Sequence, residues 1–151
     1  MMNKKKIFIA IDTNKVSKAK KIIRDSQTNK IKVGYKFGLE FFYSKDGRKF
    51  LSSLKNQTIF LDLKLNDIPN TVRSAMKSLK DLKISYLTVH LSSGLSALKA
   101  LKQNSKNIKI AGVTTLTSLN NKDLKEIGFD KEINKLVKHQ AKLARKAKLD
   151  A

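Results

Sequence analysis

The sequence predicts an α/β fold on a parallel sheet, and three observations lead there. Short β-type apolar runs alternate with longer helical ones, turn residues separate the two, and polar side chains collect where the predicted strands end. Residues 7–12 read as the first strand, five consecutive apolar side chains closed by Asp12. Residues 15–25 follow with helical periodicity, residues 30–35 form a second strand, and residues 39–54 read as helical with an interruption near Asp46 and Gly47. Residues 58–65, TIFLDLKL, give a strong strand signal. Residues 68–82 are helical, with Pro69 in the first turn, where its missing N–H removes no hydrogen bond. A fourth strand spans 84–90, a helix 95–103 and a fifth strand 108–114. A polar loop containing Asn120 and Asn121 then leads to a basic amphipathic helix over 132–148. Five β/α units in succession imply parallel strands joined by right-handed crossovers.

Two architectures fit this pattern: an open doubly wound sheet, and a (β/α)8 barrel of which five units are present. A glycine-rich phosphate loop after the first strand would favour the open sheet. Here Asp12 is followed by Thr13, Asn14 and Lys15, and neither a dinucleotide fingerprint nor a Walker A loop occurs. With no linker, low-complexity tract or repeat beyond the β/α period, residues 1–151 are expected to form a single domain.

Composition narrows the function. The 40% hydrophobic content is enough for one core, and the absence of cysteine excludes disulfides, thiolate metal sites and cysteine nucleophiles. The start, MMNKKKIFIAID, has too short an apolar run for a secretory signal, and no run reaches membrane-spanning length, so a cytoplasmic location is expected. The net charge of +21 raises the question of a nucleic-acid partner. The basic residues are 29 Lys and only 4 Arg, spread from Lys4 to Lys148, whereas phosphate-reading surfaces favour Arg concentrated on one face. The excess reads as solvated helix faces and compositional bias, with a basic nonenzymatic nucleic-acid-binding domain kept as the outside alternative.

The candidate site residues are Asp12, Lys32, Asp62 with Lys64, His90 with Ser92, and the stretch from Thr114 to Ser118, all at predicted C-terminal strand ends, where parallel β/α folds build active sites. Asp62 and Lys64 stand at i and i+2, on one face of a strand, and Asp67 follows at the start of a helix. Charges in an apolar strand are costly to bury unless they pair, so the plain reading is a structural ion pair. His90 is either a supporting residue or a structural histidine, His139 is ordinary surface, and Lys36 reads as solvated. The aromatics between Tyr35 and Phe50 read as core rather than as a base-stacking platform.

The segment FLDLKLNDIPNT, Phe60 to Thr71, resembles the signature of orotidine 5'-phosphate decarboxylases, an Asp-x-Lys-x-x-Asp core running into Ile-Pro-Asn-Thr. The core alone is shared with related sugar-phosphate lyases, the enzyme alternative; Ile68 to Thr71 points to the orotidine branch. IFIAID, IKVGYKFG, LTVHLSSG and VTTLTSL resemble the family's first, second, fourth and fifth strands. The resemblance implies a TIM-type barrel and a homodimeric lyase that makes UMP in pyrimidine biosynthesis without metal or organic cofactor. It implies an alternating array of Lys32, Asp62, Lys64 and Asp67, with Lys64 as proton donor and Asp62 against the substrate carboxylate. Asp12 would bind the ribose, Asp67, Ile68 and Thr71 would approach the substrate, Asp67 and Thr71 from the partner subunit, and Thr117 and Ser118 would contact the pyrimidine. The family's phosphate-gripping elements belong to three later units, so these 151 residues by themselves are expected to turn over no substrate.

Overall fold

The computed structural model describes residues 6–151; the basic Met1–Lys5 segment lies outside them. The elements follow in the order β1 (Lys6–Ile11), α1 (Val16–Asp25), β2 (Lys32–Gly38), α2 (Leu39–Phe42), α3 (Gly47–Ser53), β3 (Thr58–Leu65), α4 (Pro69–Ser78) and β4 (Tyr86–His90). A 3-10 turn (Leu91–Ser93) then precedes α5 (Gly94–Asn104), β5 (Lys109–Val113), α6 (Asn121–Glu126) and α7 (Ile133–Lys146). The five strands form one sheet in the order β1-β2-β3-β4-β5. A doubly wound sheet reverses direction beside its first strand, whereas a barrel adds each strand next to the last. The order is therefore that of a barrel.

Two compact units make up the fold, and of the three boundaries two fall inside strands and one in the last turn of α4. The first runs to Leu63 and adds Ser78–Leu87; the second comprises Lys64–Lys77 and Thr88–Ala151.

In the first unit, β1 pairs with β2 in parallel from Lys6↔Lys32 to Ile11↔Phe37, and β2 with β3 from Gly34↔Thr58 to Gly38↔Asp62. Ala19 and Ile23, four apart on α1, are buried, as are Tyr35, Phe37, Ile59 and Leu61 from the strands. β2 extends three residues past its expected end. A Cβ at Gly34 would lie 2.5 Å from Cε1 of Phe8, so the glycine lets that ring close over the strand. The interruption in the second helical stretch falls where Gly47 opens α3, since a Cβ on Gly47 would lie 1.8 Å from the Phe41 carbonyl oxygen.

In the second unit, α4 buries Val72 and Met76, α5 buries Leu98 and Leu101, and α7 buries Leu136 with Gln140, each set at helical spacing. The loop expected around Asn120 holds a short helix. The Asn120 side chain accepts from the backbone N–H of Lys122 and Asp123, and the Asp123 carboxylate accepts from Asn120 N–H at 2.8 Å, a capping box that starts α6. After α7, Lys148 takes left-handed backbone at φ 56, and the chain turns to lie beside β5, where Gly112 N–H donates to the Ala151 carbonyl at 2.8 Å. Burial pushes the Asp150 carboxyl up, but hydrogen bonds from Lys102 Nζ at 2.6 Å and Ile110 N–H at 2.8 Å, with the charges of Lys102 and Lys109, outweigh it. The group is held below its usual value.

A carboxyl depressed in the folded state contributes stability above its unfolded value, about 3.9, and loses it as pH falls through the folded value. Asp150→Asn should therefore lower the urea midpoint at pH 7, with the gap from the parent protein closing as the pH is taken below about 4. Gly47→Ala should cost about 1–3 kcal/mol or more, because backbone must move to admit the methyl. Gly38→Ala, where an added methyl meets nothing within 4 Å, is the matched control in the same denaturation series.

Candidate active site

The charged centre of the first unit forms where the β2–β3 pairing ends, at Gly38↔Asp62, three residues before β3 itself stops. Lys36 stands opposite Phe60 and Gly38 opposite Asp62. The Lys36 ammonium lies 3.7 Å from Asp62 Oδ2, with side chains 37% and 16% exposed respectively. Behind them sits an apolar layer: the Phe8 ring meets Phe60 edge-on at 5.3 Å and Tyr86 at 5.2 Å. Rings on one side and solvent on the other keep the carboxylate half-buried and in need of a counter-charge.

Lys36 was expected to be solvated and Lys32 to be the site lysine; the structure gives Asp62 to Lys36 instead. Lys32 is exposed at the start of β2, opposite Lys6, six residues before Gly38, which at strand rise puts it roughly 20 Å from the Asp62 end. A signal for this was present. Lys-x-Gly occurs twice in β2, as Lys32-Val33-Gly34 and Lys36-Phe37-Gly38, and only the second lies at the C-terminal end. Asp12 is exposed immediately after β1, next to buried Thr13, whose hydroxyl accepts from Lys15 N–H at 3.2 Å.

The second unit begins at Lys64, which is half-buried and has a positive φ of 48. The extended geometry behind a simple two-residue alternation gives way at this residue. Its N–H donates to Thr88 Oγ1 at 2.8 Å. Ser93 Oγ donates to Asn66 Oδ1 at 2.9 Å, tying the turn after β3 to the turn after β4. Asp67 is exposed, and its Oδ1 accepts from Ile68 N–H at 2.7 Å. Ile68 is 65% exposed ahead of α4, and Thr71 is exposed on its first turn. Thr117 and Ser118 are exposed on the Leu116–Leu119 turn. His90 ends β4 and lines a cavity of about 170 Å³ with Asn66, Ser92, Thr115 and Gln140. Thr115 donates to Gln140 Oε1 at 3.2 Å across it. Thr88 and Gln140 were not singled out from the sequence; a lone Thr in the apolar run YLTVH is the only trace the first leaves.

A parallel sheet in chain order, with acidic and basic side chains at the C-terminal ends of its strands, defines a β/α-barrel scaffold of the enzyme type. The chain belongs to the orotidine 5'-phosphate decarboxylase / HUMPS family, whose sequence profile matches residues 5–151. It is 36% identical over 155 residues to the orotidine 5'-phosphate decarboxylase of Carboxydothermus hydrogenoformans, covering 96% of this chain and 63% of that protein. It is 40% identical over 148 residues to the enzyme of the same name from the Wolbachia of Brugia malayi, covering 95% and 64%. The crystal structure of orotidine 5'-phosphate decarboxylase from Lactobacillus acidophilus superposes with a TM-score of 0.81 at 29% identity, covering 95% of this chain and 68% of that one. The chain thus spans just under two thirds of the length of these two curated relatives.

A double-mutant cycle checks the reassigned lysine. Lys36→Ala and Asp62→Asn should couple by on the order of 0.5–1 kcal/mol in urea unfolding, while Lys32→Ala and Asp62→Asn should be additive.

Proposed function

We propose that this chain carries the catalytic residues of an orotidine 5'-phosphate decarboxylase. The observation that carries the reading is the Lys36–Asp62 pair, with Lys64 two residues after Asp62 in β3 and Asp67 in the turn that follows the strand. Identities of 36% and 40% to proteins of that name support it. Ile68-Pro69-Asn70-Thr71 favours the orotidine branch over other sugar-phosphate lyases of the family. Of the aromatics from Tyr35 to Phe50, Tyr35, Phe37, Phe41 and Phe50 are buried as core and Tyr43 is 77% exposed, so the nucleic-acid reading keeps one open ring rather than a stacking platform.

In the reaction, the bond from C6 of the pyrimidine to its carboxylate breaks, carbon dioxide leaves, and the electron pair left at C6 takes a proton from the Lys64 ammonium, giving UMP. No redox change occurs, and the balance requires no cofactor. Asp62 presses a like charge against the departing carboxylate, a repulsion relieved as carbon dioxide forms. Lys36 pairs with Asp62 and holds it in place, the role expected of Lys32. Asp12 binds the ribose, and Thr117 and Ser118 meet the pyrimidine. Asp67, Ile68 and Thr71 approach the substrate, with Asp67 and Thr71 serving the partner's site in a homodimer. The setting is cytoplasmic; among the described residues no helix is long and apolar enough to cross a membrane.

The test is decarboxylation of orotidine 5'-phosphate by the chain completed to eight β/α units. Lys64→Ala should lose at least about 100-fold in kcat while still binding UMP, as expected when a proton donor is removed. Lys36→Ala should fall by a comparable factor, and Lys32→Ala should stay within about threefold of the parent. Retention of more than about a tenth of the activity by Lys64→Ala would remove it as the donor.

A further inference from the structure

Three non-glycine residues among those described have left-handed backbone: Lys64, Lys106 and Lys148. Lys106 follows α5 and Lys148 follows α7, where a left-handed residue is an ordinary way to leave a helix. Lys64 lies inside a strand, so helix termination does not account for it. A strained conformation of this kind persists only where the surroundings impose it.

The amide of that residue is met by a side chain of β4. Leu87, Thr88 and Val89 are consecutive buried residues, and strands buried on both faces ordinarily carry Val, Ile or Leu. Thr has the shape of Val with a hydroxyl in place of one methyl, and burying that hydroxyl is unfavourable unless it is hydrogen-bonded. Thr88 is 4% exposed, and its Oγ1 accepts the N–H of Lys64 at 2.8 Å. A side chain, rather than a strand carbonyl, thus receives this amide where the backbone of β3 departs from extended geometry.

We propose that Thr88 is a positioning residue for Lys64: its hydroxyl fixes the left-handed backbone at residue 64 and so sets the direction from which the ammonium reaches the reacting carbon. The proposal rests on the reading of Lys64 as proton donor. Removing the hydroxyl leaves substrate contacts intact and loosens only the donor, so the effect belongs in kcat and not in KM.

Two measurements test it. In the 151-residue chain, amide hydrogen exchange at Lys64 should quicken by about tenfold or more in Thr88→Val and stay near the parent rate in Thr88→Ser, with Leu61 as the internal control. In the eight-unit enzyme, Thr88→Val should lower kcat by about 10- to 100-fold with KM changed less than about threefold, and Thr88→Ser should restore kcat to within about threefold. Should Thr88→Val fail to fold, Thr88→Ala beside Thr88→Ser gives the same comparison. Unchanged exchange at Lys64 overturns the proposal, and so does faster exchange with parental kcat. Lys64→Ala, assayed in parallel, separates the two readings: if it remains active, the donor assignment fails, whereas if it is dead and Thr88→Val is not, the positioning role alone fails.

Discussion

Phe8 rests on Gly34, and much of the first unit follows from that contact. The two residues are register partners in β1 and β2, and any side chain at position 34 would collide with the ring. With the ring seated, its edges meet Phe60 and Tyr86, which closes an apolar layer over one face of the strands. Two residues further along β2 and β3, on the same face as Gly34 and Phe60, come Lys36 and Asp62. The charged pair therefore stands one layer above packed rings, at the strand ends.

That placement decides how the pair behaves. A fully buried ion pair struggles to recover its desolvation cost, and a fully exposed one contributes almost nothing. Lys36 and Asp62 lie between these limits, with the carboxylate more enclosed than the ammonium. The Lys36 ammonium sets a positive charge 3.7 Å from the Asp62 carboxylate, which holds in place a group whose proposed task is to repel another carboxylate. Lys36 can stay hydrated on one side, as a long amphipathic side chain does.

Much of this was legible in the sequence, and the exceptions divide by whether their cause is distant or local. The bounds of β3 are those expected, 58–65, because apolar and β-branched side chains dominate it, and α4 starts at Pro69 as its fixed φ favours. β2 was ended three residues short, and the seat that Gly34 gives the Phe8 ring depends on another strand and leaves no local trace. Ending that strand at Tyr35 put Lys36 outside it, and the likeness of Lys32-Val33-Gly34 to the family's second strand made Lys32 the expected site residue. Thr88 was overlooked because Thr is unremarkable in a strand; its meaning depends on the Lys64 amide, 24 residues earlier. The short α6 was missed for the opposite reason, since Asn120 and Asp123 form a local capping box that is readable once the two are taken together.

The strand order also bears on how the chain becomes folded. Because neighbours in the sheet are neighbours in the chain, each strand has only to find the one made just before it, and each closure spans a single β/α unit. On a ribosome, Phe8 can settle on Gly34 as soon as β2 has emerged, and β3 then adds to a ready edge. The aromatic layer lags behind the backbone pairing, because its third ring belongs to β4. Until Tyr86 leaves the exit tunnel, the rings of Phe8 and Phe60 lack that cover and present apolar surface to neighbours.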